Sequence, residues 1–200
     1  MKIIGIDAGT TKTGYIYLED RQPLDYGWVF NDDIFKIINK YKGKRPDNAH
    51  VVMEDIQSYG MPVGVDVFTT VKAMGAFEYY ATQIEKLKLT YVKRSEAKLF
   101  LCNSPRATDA NIRQALIDLY GGDEVAIGGK KCKTCKGKGY NGRDRVSCDL
   151  CSGLGLQSPK GVLHGISGHV WSALAVGVTF FEQQQVKFAM QLLKTTKGSN

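Results

Sequence analysis

The feature that most constrains this chain is a doubled cysteine motif, CKTCKGKGYNGRDRVSCDLCSGLG. Cys132 and Cys135 form one Cys-x-x-Cys turn and Cys148 and Cys151 a second, with twelve residues between the pairs. Each pair continues as x-Gly-x-Gly, through Gly137 and Gly139 and then Gly153 and Gly155. Such a turn brings two thiolates onto one ion, the glycines permit the tight backbone, and two turns complete a tetrahedral zinc site. All four positions are cysteine, which leaves no open coordination position, so one structural Zn²⁺ is expected. The rival reading, a pair of redox-active dithiols, lacks a flanking thioredoxin-like pattern. Five Lys and two Arg against two Asp between Lys130 and Cys151 make this a basic knuckle. Lys130, Lys131, Lys133, Lys136, Arg143 and Arg145 are therefore expected to grip phosphate rather than catalyse.

The rest of the chain reads as alternating strands and helices. Residues 1–30 look like a three-stranded meander, KIIGID, TGYIYLE and DYGWVF, separated by turn residues. Ile34, Ile37, Ile38 and Tyr41 recur at helical spacing behind Asp32 and Asp33. AHVVMED (49–55) is a second buried-type strand, followed by a Gly/Pro-containing loop and a long helix over 67–87. LTYVK (89–93) is a further strand, SEAKLFL a short helix with Ser95 as its cap, and 108–121 a helix capped by Thr108. Residues 122–163 are irregular, and 167–194 form one long helix. This order makes an α/β plan with a mixed sheet.

Composition narrows the partners. The 200 residues carry a net charge of +7, which favours an anionic partner, nucleic acid being the commonest. No stretch approaches the roughly 20 apolar residues of a membrane span, so no membrane partner is expected. MKIIGIDAG lacks a signal-peptide cleavage pattern, and an intracellular, cytoplasmic protein is expected.

Two buried-type strands end in carboxylates, Asp7 on the first and Glu54 with Asp55 on the second. A charge at the edge of a low-dielectric core needs a cation or several hydrogen bonds. If the strands are neighbours, two hard oxygen ligands converge, which suits Mg²⁺ or Mn²⁺. His169 and Ser172 lie three apart, hence on one face of the last helix. Each has a plainer alternative: Asp7 as a turn cap, Glu54 as a surface strand end, His169 as a satisfied helix histidine.

The order of these motifs resembles the RuvC family of Holliday-junction resolvases, on the RNase H-like fold. IIGIDAGTTKTGY is similar to the family's first motif, with its aspartate on Asp7, and HVVMED resembles the second acidic strand, with its glutamate on Glu54. TTVKAMGAFEYYA resembles the dimer-forming helix. HVWSALAVGVTF resembles the last motif, whose two metal-site residues fall on His169 and Ser172. The second is normally aspartate, so Ser172 is a departure. The cysteine segment resembles one unit of the DnaJ-type zinc module, an insertion similar to that of phage-encoded versions, for which the compartment is the bacterial host cytoplasm.

The resemblance implies an RNase H-like fold with a mixed five-stranded sheet flanked by helices. It divides the chain into a nuclease domain, 1–121 with 164–200, and a zinc-module insertion, 122–163. It also implies a homodimer acting on branched DNA, four-way junctions above all, through two Mg²⁺ or Mn²⁺ ions per site. Asp7, Glu54, His169 and Ser172 would be catalytic; Lys93, Arg94, Lys98 and Arg106 would touch DNA backbone; Tyr59 or Phe68 would wedge into the junction. A binder of branched DNA on the same fold that no longer cuts is the alternative for which Ser172 speaks. DAGTTKTG also resembles the first phosphate loop of actin-like ATPases, but that fold repeats its core twice and no second such loop is found here.

Overall fold

Strand β1 (Lys2–Asp7) is the apolar run KIIGID, and its Ile3, Ile4 and Ile6 are fully buried in the computed structural model of the chain. The described residues are 1–200 apart from 45–46, 58–59, 61, 139, 142–144, 153, 157 and 198–200, with side chains described to residue 194. β2 (Lys12–Glu19) pairs antiparallel with β1, and β3 (Gln22–Phe30) antiparallel with β2. β4 (His50–Asp55) pairs parallel with β1, and β5 (Lys88–Lys93) parallel with β4. The order β3-β2-β1-β4-β5 is the mixed five-stranded sheet expected from the sequence. β1 and β4 are central and covered on both faces, which is why they read as apolar runs without alternation.

One face of the sheet is closed by α1 (Asn31–Tyr41) and α2 (Val65–Tyr79). Ile34 and Ile38, one helical turn apart, are buried there with Met74 and Phe77 against Ile4, Ile6, Tyr15 and Tyr17. α2 begins at Val65 and gives way after Tyr79 to a π-helical turn over Tyr80–Ile84, so the helix expected over 67–87 is shorter and differently wound at its end. The other face carries α5 (Val170–Lys197), which crosses β1, β2 and β4 and packs against α3 (Arg94–Cys102).

α5 touches the sheet because two strand residues have no side chain. A Cβ on Gly5 would lie 2.4 Å from the Ala173 carbonyl oxygen, and one on Gly14 2.6 Å from the His169 backbone. These distances are far below van der Waals contact, so helix and strand meet backbone to backbone. The approach fixes the height of the turn carrying His169 and Ser172 above the end of β1.

α3 follows β5 with no loop between. Lys93, in extended conformation, is its N-cap residue without a side-chain hydrogen bond. The expectation of Ser95 as cap is corrected: Ser95 lies inside the first turn, and its hydroxyl donates to Gln57 Oε1 at 2.9 Å. α4 (Asp109–Leu119) is capped as its sequence predicts, by a reciprocal pair in which the Asn111 N–H donates to Thr108 Oγ1 and the Thr108 N–H to Asn111 Oδ1.

The chain divides into two compact units, residues 1–112 with 166–200 and residues 113–165. The second contains a π-helical turn (Asp123–Ile127) and a two-stranded ribbon of β6 (Tyr140–Asn141) and β7 (Val146–Ser147). Its cysteine end has the four sulfurs for a core. Among the described residues no helix is long and apolar enough to cross a membrane.

Candidate metal centres

Register brings the two acidic strand ends together. Ile6 of β1 stands beside Met53 of β4, so Asp7 and Glu54, one residue further along parallel strands, finish side by side. They share a pocket of about 170 Å³ with Asp55, Gln57 and Arg94. The Gly/Thr turn after Asp7 is held from outside by Asn31. Its side chain accepts from the buried Thr13 hydroxyl at 2.8 Å and donates to the carbonyls of Gly9 and Thr10 at 3.1 and 3.3 Å.

His169 reaches Asp7 directly, its Nδ1 2.8 Å from Oδ2. An ionised carboxylate only accepts, so Nδ1 carries the proton and Nε2 is left as the free ring nitrogen. The imidazole is half-exposed (51%), whereas Asp7 retains 13% of its side-chain surface. Burial pushes the Asp7 carboxyl above its ordinary range, against the opposing pull of the His169 hydrogen bond. Burial, and then the Asp7 charge, pushes Glu54 up as well.

Arg94 faces the same pair. Its Nη1 donates to Glu54 Oε1 at 2.9 Å and reaches Ser172 Oγ at 3.4 Å, while Nη2 pairs with Asp109. Arg94, expected from the resemblance to touch DNA backbone, spans Glu54, Ser172 and Asp109. Asp109 carries no motif of its own and was not anticipated. Glu54 Oε2 is buried with no hydrogen-bond partner among the described residues. An orphaned carboxylate oxygen in a low-dielectric pocket is costly, and a cation is the partner that best relieves it. The residues therefore fit a divalent ion: two carboxylates from strand ends and, on the Asp7 side, an imidazole with a free nitrogen.

The four cysteines come together in the second unit. Cys132 Sγ lies 3.8 Å from Cys148 Sγ and Cys135 Sγ 3.7 Å from Cys151 Sγ, and all four atoms lie within 4.8 Å of one another. A tetrahedral ion with Zn–S bonds of about 2.3 Å holds its sulfurs about 3.8 Å apart. The Gly155 N–H donates to Cys151 Sγ at 3.2 Å, the kind of outer hydrogen bond that orients a thiolate. It is the one cluster of this tightness among the described residues. Asp7, Glu54 and His169 are not drawn in so closely, because Glu54 is turned to Arg94.

Of the expected DNA contacts, Lys93 and Arg106 are exposed and Lys98 is half-buried, all in the first unit. Phe68 is exposed on α2. Lys130, Lys131, Lys133 and Lys136 are exposed around the cysteines, and Arg145 lies over the Tyr140 ring at 5.6 Å. Tyr59 and Arg143 fall outside the described residues.

The sequence matches no protein-family model and no curated protein. The structure, by contrast, is similar to solved structures of RuvC from Thermus thermophilus. One superposes with a TM-score of 0.58 at 14% identity, covering 92% of this chain and 96% of that one. Another is the T. thermophilus RuvC in complex with a Holliday junction substrate, with a TM-score of 0.52 at 15% identity and the same coverage. The chain has a RuvC-like fold.

Proposed function

We propose that this chain is a structure-selective endonuclease for branched DNA, four-way junctions foremost, whose chemistry is metal-assisted phosphodiester hydrolysis in the unit of 1–112 and 166–200. One observation carries the reading. Two buried carboxylates from neighbouring strand ends share one pocket, a histidine at the start of α5 is hydrogen-bonded to one of them, and an oxygen of the other lacks a partner among the described residues. The RuvC-like fold and the junction complex of the Thermus protein give the substrate class.

Asp7, Glu54 and His169 would hold Mg²⁺ or Mn²⁺. Such an ion supplies a water of lowered pKa and a counter-charge for the phosphorane-like transition state. The chain's own residues do the rest. Asp7 orients the imidazole through Nδ1 and leaves Nε2 for one of two roles, ligand to the ion or, where it does not ligate, acceptor of a proton from an attacking water. Arg94 supplies a fixed positive charge beside Glu54 and Ser172, suited to a non-bridging phosphate oxygen. The resemblance implies two ions per site. This donor set fits one, and a second would have to displace the Arg94 guanidinium from Glu54. No covalent nucleophile is needed, and the products would carry 5′-phosphate and 3′-hydroxyl ends.

A two-fold dimer would present two such sites to opposing strands of a junction. Exposed Val65 and Val71 on α2 supply apolar surface for it. Zn²⁺ on the four cysteines would be structural, with Lys130, Lys131, Lys133, Lys136, Arg143 and Arg145 gripping phosphate and Lys93, Lys98 and Arg106 steadying backbone. Tyr59 or Phe68 would unstack bases at the branch.

Arg94 also favours a second reading, a branched-DNA binder that no longer cuts, because the guanidinium occupies Glu54 Oε1 and faces Ser172. A labelled four-way junction with Mg²⁺ or Mn²⁺ separates the two. Paired nicks that disappear in Asp7→Asn support the nuclease. Tight binding without incision selects the binder, and Asp7→Asn cutting as well as its parent shows the site to be elsewhere.

A further inference from the structure

The groove beside the candidate site is lined by Trp28, one of an aromatic pair that the expected chemistry leaves unused. Trp28 and Phe30 lie two apart on the edge strand β3, hence on one face, and are 57% and 55% exposed. In the β2–β3 register Lys12 stands opposite Phe30 and Gly14 opposite Trp28. Lys12 Nζ sits 4.7 Å from the Phe30 ring centroid and 4.9 Å from that of Trp28. Among the described residues no carboxylate pairs with it. Gly14 offers no side chain to cover the indole, and His169 lies over that gap with its ring 6.0 Å from Trp28 at 27°. Lys12, Trp28 and His169 thus form a row that ends on Asp7.

The row borders an open groove of about 620 Å³ lined also by the Gly9–Thr10–Thr11 turn and by Asp66 and Thr70 of α2. A large exposed indole on an edge strand, with an unpaired ammonium at its margin, suits a planar, electron-rich ligand that also bears negative charge. A nucleotide has both parts. Its base can lie on the indole face, and its phosphate can reach Lys12 on one side or the Asp7–His169 end on the other. Asp66 across the groove repels phosphate and so favours this orientation.

We propose that Trp28, with Phe30 and Lys12, is a stacking platform for one unpaired base of the DNA strand being cut, next to the scissile phosphate. The proposal rests on the nuclease reading for which phosphate is scissile, but it concerns binding. The platform takes any base, since every base presents a π face, and it selects strands that are splayed or unpaired at the branch. It would therefore contribute to structure selectivity without reading sequence.

The test is junction affinity in the absence of divalent ions, with a four-way junction carrying 2-aminopurine at the branch point. Trp28→Ala is expected to weaken binding at least about ten-fold and to abolish the 2-aminopurine quench, while Trp28→Tyr keeps both. Lys12→Ala should lower the slope of log affinity against log salt by about one. Trp28→Ala within two-fold of the parent, with the quench intact, overturns the platform. Cutting by the parent and by Asp7→Asn is scored separately. Loss of affinity in Trp28→Ala alongside a parent that never cuts would retain the platform and sink the nuclease, and normal affinity with metal-dependent cutting would do the reverse.

Discussion

In the unit of 1–112 and 166–200, the buried set runs from Ile3, Ile4 and Ile6 through Ile34, Ile38 and Phe77 to Ala173 and Leu174. In the cysteine end of 113–165, the interior is four sulfur atoms, and the apolar side chains nearby, Val146, Leu150 and Leu154, are exposed. The first region is ordered by apolar area taken from water and tolerates a polar site at its margin. The second has too little to bury and, with Zn²⁺ on its cysteines as proposed, would depend on coordination. A region of the first kind degrades by degrees under mutation, whereas one of the second kind is present or absent with its ion.

The largest expected effect follows from that contrast. Stripping Zn²⁺ with a chelator, or Cys135→Ser, should abolish amide protection across 130–156 and leave that of β1 and β4 intact, as hydrogen exchange would read out. Structural zinc in finger peptides is worth about 10–16 kcal/mol at neutral pH, more than so small a module gains otherwise. Protection lost equally in both regions would show that they do not hold their order separately.

Next in size is Gly14→Ala. A Cβ 2.6 Å from the His169 backbone must push helix from strand, at a cost of about 1–3 kcal/mol. Thermal denaturation should register the loss while the zinc remains bound. An unchanged midpoint would mean that the backbone contact is not rigid.

Ser172→Asp tests the polar margin. A carboxylate at 172 would compete with Glu54 for Arg94, and Mn²⁺ titration followed by electron paramagnetic resonance should rise from one ion bound to two. One ion in both proteins would mean that Arg94 does not limit loading.

The smallest effect concerns His50, whose ring is tilted by 43° against that of Phe180 with centroids 4.4 Å apart and is hydrogen-bonded to Thr90 Oγ1. Burial lowers its pKa from 6.5 to about 4. The unfolded chain then takes up a proton between those values and the folded chain does not. Stability should therefore be full above pH 6.5 and decline as the pH falls towards 4. His50→Gln should flatten that part of the profile in urea titrations, and an unaltered slope would assign it to other groups.

What could be read from sequence divides along physical lines. Strands β1 and β4 were legible because burial on both faces leaves a continuous apolar run, and their terminal carboxylates stood out against it. The cysteine cluster was legible because its geometry is local to two turns. Arg94 was seen as a basic residue after a strand, yet its direction is set by Glu54 and Ser172, 40 and 78 positions away. Asp109 reads as an ordinary first-turn helix acid, and only folding brings it to Arg94. Trp28 and Lys12 become a pair only in the β2–β3 register, and Gly14 acquires its meaning only once α5 lies on it. Asn31 carries no signal in the sequence, because its hold on the Gly/Thr turn spans 22 positions. Ser95 was misjudged because β5 enters α3 without the loop in which a cap normally sits.

The hydrogen bond between His169 and Asp7 joins residues 162 positions apart. During synthesis the aspartate and all five strands of the sheet leave the ribosome before the imidazole partner does. Until then the acidic strand ends lack the group that completes them, and the helix that closes one face of the sheet is missing too. The nascent chain thus carries its pocket half-built, and the order of translation delays whatever that pocket does until the closing helix has been made.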